Sequence, residues 1–279
     1  MPLLPVSDLE KSVPVFRGKA GHVLAEGLRG LLGIRALSDM YDAHCDAEGA
    51  DFARTLLRCL NVHYRVGHPE RLAQLQEGPF VTVSNHPYGG LDGVMLIDLL
   101  GHLRADFKVM ANEFLTVVKA LTPSLIVVNP SNNASFGVTE RNIRGTHEAF
   151  QRIANGHPVG FFPSGAVSDL HLRERAIRDR DWQMSTVRLI KKARVPVVPV
   201  RFFDRNSLFF YLLGLIDWRV RVTRLPRELL NKRNAAPRIG IGEPLSVEAQ
   251  DRVTDLQAFR SLLRSSVYDI PLPDSFTRC

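Results

Sequence analysis

Residues 81–96 read V-T-V-S-N-H-P-Y-G-G-L-D-G-V-M-L, the pattern of a strand, a polar turn and the start of a helix. Its first residues are apolar and β-branched, as in a buried strand, and its last residues are apolar at helical spacing. The turn between them carries His86, Asp92 and several glycines. A strand that leads into a helix through such a turn places polar groups at the carboxyl edge of a parallel sheet, where open α/β folds bind ligands.

His86 and Asp92 form a candidate base and its orienting carboxylate. Imidazole is the side chain most easily poised as a base near neutral pH, provided that a partner fixes its tautomer. A carboxylate that accepts the proton of one ring nitrogen leaves the other nitrogen to accept a proton from an attacking hydroxyl or amine. The alternative is a glycine-rich turn in which both side chains are merely solvated.

The rest of the chain predicts an α/β fold with a mainly parallel central sheet flanked by helices. Short apolar runs alternate with segments that can be helical, which is typical of parallel sheets covered on both faces. We predict strands at residues 80–83, 107–110, 125–128, 159–162, 197–200 and 238–245. Residues 1–78 are predicted to form an N-terminal helical segment packed on an α/β domain of residues 79–279, as one structural unit.

Helices are expected before and after the predicted strands. The candidates are residues 21–37, 52–60 and 69–75, and a final helix capped by Ser246 with Val253, Leu256, Phe259 and Leu263 on one apolar face. The tail beyond Asp269 should be extended, because it contains Pro271 and Pro273.

Three of the predicted strands end in polar turns. These turns read N-H-P-Y-G-G-L-D at 85–92, N-P-S-N-N at 129–133 and F-P-S-G-A-V-S at 162–168. Because the carboxyl ends of parallel strands lie at one edge of a sheet, the turns should converge on a single cleft.

Composition limits the choice of partners. The formal charge of +7 and the pI near 9.6 favour anionic partners, among them anionic lipid, coenzyme A and acidic carrier proteins. No stacking-aromatic or helix-turn-helix pattern accompanies the scattered arginines, so nucleic-acid binding is not predicted. The three cysteines are widely spaced, and no metal site is predicted. The amino terminus lacks a signal-peptide pattern, and no apolar run reaches the length of a spanning helix.

The three turns, followed by V-P-V-V-P-V at 195–200, resemble the four ordered blocks of the glycerolipid (lysophospholipid, 1-acylglycerol-3-phosphate acyltransferase-like) superfamily. The likeness is greatest to the bacterial hemolysin-like branch, which includes acyltransferases of amino-acid lipids. The resemblance implies an acyltransferase fold, an acyl thioester of coenzyme A or acyl carrier protein as co-substrate without a further cofactor, and a lipid acceptor. It also implies catalysis by His86 with Asp92. The substrate-binding candidates are Asn85, Gly89, Gly90, Asn129, Ser131, Arg141, Pro163, Ser164 and Gly165.

The chain departs from the superfamily pattern at three places. Residues 87–91 separate His86 from Asp92, which is one residue more than is usual, and the second block lacks its arginine. In the third block Ser164 and Val167 replace the Glu and Arg of glycerol-phosphate acyltransferases. Since a buried phosphate needs a bidentate guanidinium, these departures favour a neutral or zwitterionic acceptor, such as an amino-acid lipid or a lyso-lipid hydroxyl. Arg141 is the remaining candidate for an anionic headgroup.

The segment 208–218, L-F-F-Y-L-L-G-L-I-D-W, is the most aromatic of the chain. Phe209, Phe210 and Leu213 are our candidates for contact with an acyl chain or a membrane surface. The alternative is that the segment is simply core. The sequence therefore predicts a cytoplasmic acyltransferase, peripheral on the inner face of the cell membrane. A lipid-binding protein on the same scaffold that has lost catalysis is the alternative.

Overall fold

The computed structural model describes residues 18–129 and 140–278, and its centre is an eight-stranded sheet. The strands of the chain are β1 (Arg65–Gly67), β2 (Val81–Ser84), β3 (Lys108–Asn112), β4 (Leu125–Val128), β5 (Val159–Phe161), β6 (Asp169–His171), β7 (Ala176–Arg178), β8 (Val197–Phe202), β9 (Arg238–Ile241) and β10 (Thr277–Arg278). Strands β6 and β7 form a separate antiparallel hairpin.

The strand order of the central sheet is β10-β1-β9-β8-β2-β5-β3-β4. The five strands from β8 to β4 are mutually parallel. Strand β9 runs antiparallel to β8, and β1 follows β9 in parallel. The strand that precedes His86 therefore lies inside the sheet, between β8 and β5, and its carboxyl end opens onto the edge where β4 and β5 also end.

Helices cover both faces of the sheet. They are α1 (Gly18–Leu31), α2 (Ile34–Asp42), α3 (Gly49–Cys59), α4 (Gly90–Leu103), α5 (Glu140–Ala154), α6 (Met184–Ala193), α7 (Leu208–Ile216), α8 (Trp218–Thr223), α9 (Leu225–Leu230), α10 (Val247–Asp251) and α11 (Leu256–Tyr268). Short 3₁₀ helices span Pro69–Leu75, Glu113–Val117 and Lys119–Ser124. One apolar core lies under α3 and α4, and a second lies under α5, α6 and α11.

The predicted fold class is confirmed. Each of the six predicted strands is present, with ends displaced by a few residues. Helix α4 is buried on nearly every side, because its apolar residues surround the axis rather than forming a single stripe. It packs on α3, where the Cβ of Ala50 approaches Gly101 closely.

Two predicted helices are each divided in the structure. The predicted helix 21–37 is broken between α1 and α2, where Gly33 adopts a left-handed conformation with φ 79°. The predicted final helix is two helices, because Ser246 caps only α10 and Asp255 caps α11 separately. A second capping side chain within an apolar pattern is the signal that the prediction overlooked.

The N-terminal segment contributes a strand as well as helices. Strand β1 pairs with β9, so residues before and after position 78 share one sheet. The tail beyond Asp269 contains no helix in residues 270–278, and its strand β10 pairs antiparallel with β1.

Candidate active site

The turn after β2 places His86 against Asp92. His86 Nδ1 lies 3.1 Å from Asp92 Oδ2, with the His side chain 19% exposed and the Asp side chain fully buried. The contact has the distance of a hydrogen bond but not its direction. Catalytic hydrogen bonds are commonly bent in free enzymes and tighten when substrate binds. The pair therefore has the geometry of a base and its orienting carboxylate, with Nε2 on the far side of the ring.

Asp92 also caps the first turn of α4. Its Oδ2 accepts hydrogen bonds from the backbone N–H groups of Tyr88 at 2.8 Å and Gly89 at 2.9 Å. Burial raises the pKa of the Asp92 carboxyl above its ordinary value, and the contact with His86 and the two amide N–H groups oppose this shift. The same carboxylate thus fixes the turn and faces the imidazole.

The turn residues from Asn85 to Tyr88 are held by hydrogen bonds from distant parts of the chain. The Asn85 amide exchanges two hydrogen bonds with the backbone of Phe202, and Tyr211 Oη donates to the Pro87 carbonyl at 2.7 Å. Asn206 Nδ2 donates to the Tyr88 carbonyl at 3.0 Å. Because each bond contributes about 0.5–1.5 kcal/mol, the turn is held in a single geometry before substrate binds.

Asp179 is a further buried carboxylate at this turn, and sequence reasoning missed it. Its Oδ1 accepts the backbone N–H of His86 at 3.1 Å and the hydroxyl of Ser168 at 2.6 Å, while the Trp182 indole donates to Oδ2. The Ser168 N–H in turn donates to the His86 carbonyl. Burial raises the pKa of Asp179, opposed by these hydrogen bonds. Asp179 therefore positions His86 through its backbone.

A cavity of about 1440 Å³ lies beside His86. Its volume exceeds the 300–1,000 Å³ that is typical of small-ligand sites, and much of its wall is apolar. The apolar side chains include Phe52, Val94, Ile97, Leu115, Leu121, Phe162, Leu225 and Leu229. The His86 ring also packs on Phe162, with ring centroids 4.2 Å apart. The cavity thus offers a large, mainly apolar volume beside the imidazole.

A protein-family model described as Acyltransferase matches residues 15–270 of the chain. The chain belongs to this acyltransferase family. The match confirms the resemblance that the four sequence blocks indicate, and it shows that the protein is an acyltransferase.

Two curated proteins are similar to this acyltransferase, and both are named lyso-glycine lipid O-acyltransferase. The protein from Bacteroides thetaiotaomicron is 27% identical over 81% of this chain and 81% of its own length. The protein from Phocaeicola vulgatus is 28% identical over 80% of this chain and 78% of its own. Among solved structures, the 1-acyl-sn-glycerophosphate (LPA) acyltransferase PlsC from Thermotoga maritima matches at 15% identity. The structural alignment has a TM-score of 0.45 and covers 78% of this chain and 81% of that chain.

The acyltransferase brings residues of all three polar turns to the cavity. His86, Gly89 and Gly90 line it from the first turn, Asn129 from the second, and Gly165 from the third. Asn85 is buried and its amide bonds the backbone of Phe202, so in the structure it supports the turn rather than lining the cavity.

Of the three glycines among the substrate-binding candidates, two have backbone N–H groups that are already engaged. The Gly89 N–H donates to Asp92, and the Gly165 N–H donates to the Phe162 carbonyl at 3.0 Å. Gly90 is the first residue of α4, and the N–H groups in the first turn of a helix have no acceptor within the helix. Gly90 is therefore the one of the three that remains suited to a developing negative charge.

In the third block the side chains mainly shape the loop. Ser164 is buried and donates to the Ala166 carbonyl at 2.7 Å, and the buried Pro163 accepts the Gln183 N–H through its carbonyl. Gly165 has φ 64°, and a Cβ there would lie 2.1 Å from the Gln183 amide nitrogen. The loop thus needs glycine at this cavity wall.

Of the remaining predicted substrate contacts, Asn129 is at the cavity and Arg141 is not. Asn129 lines the cavity and donates its backbone N–H to Asn142, whereas Ser131 lies outside the described residues. Arg141 is paired with Glu113 and does not line the cavity in the structure.

The aromatic segment 208–218 is partly core and partly surface. Phe210 and Tyr211 are fully buried, so the prediction that Phe210 contacts a membrane is corrected: its ring packs against Tyr211 and under the Arg221 guanidinium. Phe209 is 52% exposed and Leu213 is half-buried. Phe209 and Leu213 are four residues apart and share one face of α7, whereas Phe210 and Tyr211 point into the core.

Within residues 18–129 and 140–278 no helix is both long and apolar enough to cross a bilayer. No group of three or more His, Cys, Asp or Glu side chains in the same ranges is arranged to hold a metal ion.

Proposed function

We propose that this acyltransferase moves a fatty acyl group from an acyl thioester to the hydroxyl of a lyso-lipid with an amino-acid-type head. The observation that carries the proposal is the contact of His86 with Asp92 at the wall of a large apolar cavity. The names of the two curated relatives support an acceptor hydroxyl and a glycine-containing lipid.

The proposed reaction uses His86 as a general base and then as a general acid. Its Nε2 takes the proton of the acceptor hydroxyl while the oxygen attacks the thioester carbonyl carbon. Asp92 stabilises the imidazolium that forms. When the carbon–sulfur bond breaks, the imidazolium returns its proton to the departing thiolate, so that an ester and a free thiol result. The N–H of Gly90 is our candidate donor to the carbonyl oxygen in the intermediate.

The proposed donor is acyl-CoA or acyl carrier protein, and a direct assay tests both. The purified protein is given each radiolabelled thioester with a lyso-lipid that bears one free hydroxyl, or with the same lipid lacking that hydroxyl. We expect a labelled ester and a free thiol from the hydroxylated lipid alone, because only an oxygen nucleophile is offered. Absence of ester from both donors, with retained lipid binding, would instead favour the non-catalytic lipid-binding protein.

A membrane surface is the proposed source of the lyso-lipid acceptor. Helices α7 and α8 expose a cluster of large apolar side chains, namely Leu208, Phe209, Leu212, Leu215, Ile216, Trp218, Val220 and Val222. Arginines lie among them, with Arg224 over the Phe209 ring and Arg219 beside Trp218. Apolar groups flanked by cations suit the interface of an anionic bilayer. Trp218 and Val222 also line the cavity, so this surface adjoins the site.

Phe209→Glu is expected to weaken binding to vesicles of anionic phospholipid several-fold, because it places a carboxylate on the apolar surface of α7. Co-sedimentation measures the effect. Leu272→Glu is the matched control, since Leu272 is equally exposed but lies in the C-terminal tail. Equal binding by wild type and Phe209→Glu would refute membrane contact through α7.

A further inference from the structure

Arg180 presents part of its guanidinium to the cavity. The residue follows β7, and its side chain is 40% exposed and lines the cavity wall. Its Nε and Nη2 both bond the carboxylate of Asp169. Its Nη1 has no acceptor within residues 18–129 and 140–278. One edge of the guanidinium is therefore left for a ligand.

Asp169 is shared with a second, buried arginine. Arg221 is 2% exposed, and its Nη1 donates to Asp169 Oδ1 at 2.6 Å and to the Ser168 carbonyl at 3.1 Å. Arg221 also lines the cavity. Two guanidinium groups share this one carboxylate, so among the groups in direct contact one positive charge is in excess; the nearby Asp179 carboxylate instead bonds the Ser168 hydroxyl and the His86 backbone.

No carboxylate on the rest of the wall offsets that charge. The cations among the described residues that line the cavity are Arg180, Arg188, Lys192 and Arg221, and none of the lining residues is Asp or Glu. Arg188 and Lys192 are exposed on α6, where water and salt screen them. Arg221 is buried beside the apolar cavity, where an unmatched charge is costly, and Arg180 competes with it for the Asp169 carboxylate, so an anion at Arg180 is favoured.

We propose that Arg180 binds the anionic head of the acceptor, and that this head is a carboxylate. The inference rests on the proposed function, because it names the class of lyso-lipid. The planar guanidinium edge suits either anion, but a carboxylate also matches the single excess charge, whereas a phosphate dianion would bring one negative charge more than the wall balances. The guanidinium that the third sequence block lacks at Val167 is thus supplied by a residue from a later segment. The acceptor is therefore anionic, in contrast to the neutral or zwitterionic lipid that the blocks favoured.

Gln183 completes the proposed head-group site. Its side chain lies over Gly165 and lines the cavity, three residues after Arg180 in the chain. Its amide can donate to the second oxygen of a carboxylate. The loop after β5 and the residues after β7 would then hold the head, which leaves the acyl portion of the acceptor free to reach His86.

The test compares Arg180→Gln with wild type, using a short-chain, water-soluble N-acylglycine with a hydroxyl on its acyl chain and the neutral methyl ester of the same compound. Arg180→Gln should raise the KM for the carboxylate by about tenfold to a hundredfold, the range of one charge-assisted hydrogen bond. The KM for the methyl ester and for the acyl donor should not change. Arg173→Gln is the control, since it removes the same charge from an exposed position of the β6–β7 hairpin that does not line the cavity.

Calorimetric binding of the two acceptors, without donor, separates this inference from the proposed function. A preference for the carboxylate that Arg180→Gln abolishes supports the head-group site even if no transfer occurs. A raised KM for the acyl donor alone would assign Arg180 to the donor phosphates and overturn the proposal. Equal losses of affinity for the carboxylate and for the methyl ester in Arg180→Gln, or no loss of affinity for either, would also overturn it.

Discussion

His86→Ala is expected to lower turnover by about a hundredfold to ten-thousandfold, the usual contribution of a general base. The imidazole is the group that lies between Asp92 and the cavity, at 3.1 Å from the carboxylate. Stability should change little, because the hydrogen bonds that hold this residue come from its backbone, to Asp179 and Ser168. Initial rates of thiol release and a thermal melt of the same preparation measure both effects.

His102→Ala is the matched control for the loss of His86. His102 lies on α4, and its Nδ1 is 2.7 Å from the Asp98 carbonyl oxygen and 3.3 Å from Asp98 Oδ1, so it is a second His that contacts an Asp of this helix. That pair does not line the cavity. Turnover should therefore be retained in His102→Ala. Equal turnover of His86→Ala and wild type would exclude His86 as the base.

Asp92→Asn is expected to lower turnover by a similar factor, about a hundredfold to ten-thousandfold, as for the Asp of a Ser-His-Asp triad. The asparagine oxygen can still accept the N–H groups of Tyr88 and Gly89, so the turn keeps its cap. The negative charge that stabilises the imidazolium is lost. The KM for both substrates should stay nearly constant, since neither substrate contacts this buried side chain.

The stability of Asp92→Asn gives an independent measurement with a defined sign. Burial raises the pKa of the Asp92 carboxyl above its unfolded value, so the folded protein holds this proton more tightly than the unfolded chain. Below the ordinary pKa of Asp, this protonated carboxyl does not destabilise the folded protein. As pH rises through the raised pKa, the free energy of unfolding of wild type should fall relative to that of Asp92→Asn. Urea unfolding at several pH values measures the difference. A constant difference, or normal turnover in Asp92→Asn, would contradict this account of Asp92.

The fold was predictable because its central strands carry a strong local signal. Strands β2, β3, β4, β5 and β8 are runs of apolar and β-branched residues separated by helical segments. Strand β1 was not predicted, since three residues are too few to show a periodicity. The β6–β7 hairpin lies in a polar stretch and buries little, so its residues carry no pattern of burial either.

The candidate site was predictable in part. His86 and Asp92 were found because both lie in one turn between a strand and a helix. Asp179 was not found, because its role depends on tertiary contacts with the His86 backbone and Ser168 that no local pattern records. The contact of Arg180 and Arg221 with Asp169 was not predictable for the same reason. The two arginines are far apart in sequence and meet at one carboxylate only in the folded chain.

The contacts that fix the His86 turn also bear on how the enzyme acquires activity during refolding. Asp179, Phe202, Asn206 and Tyr211 lie 93, 117, 118 and 124 residues beyond their partners in the turn. Contacts of such long sequence separation form slowly. A fragment ending before Asp179 contains both His86 and Asp92 but none of these four partners. Recovered turnover should thus mark completion of the tertiary structure, later than the return of helical circular dichroism.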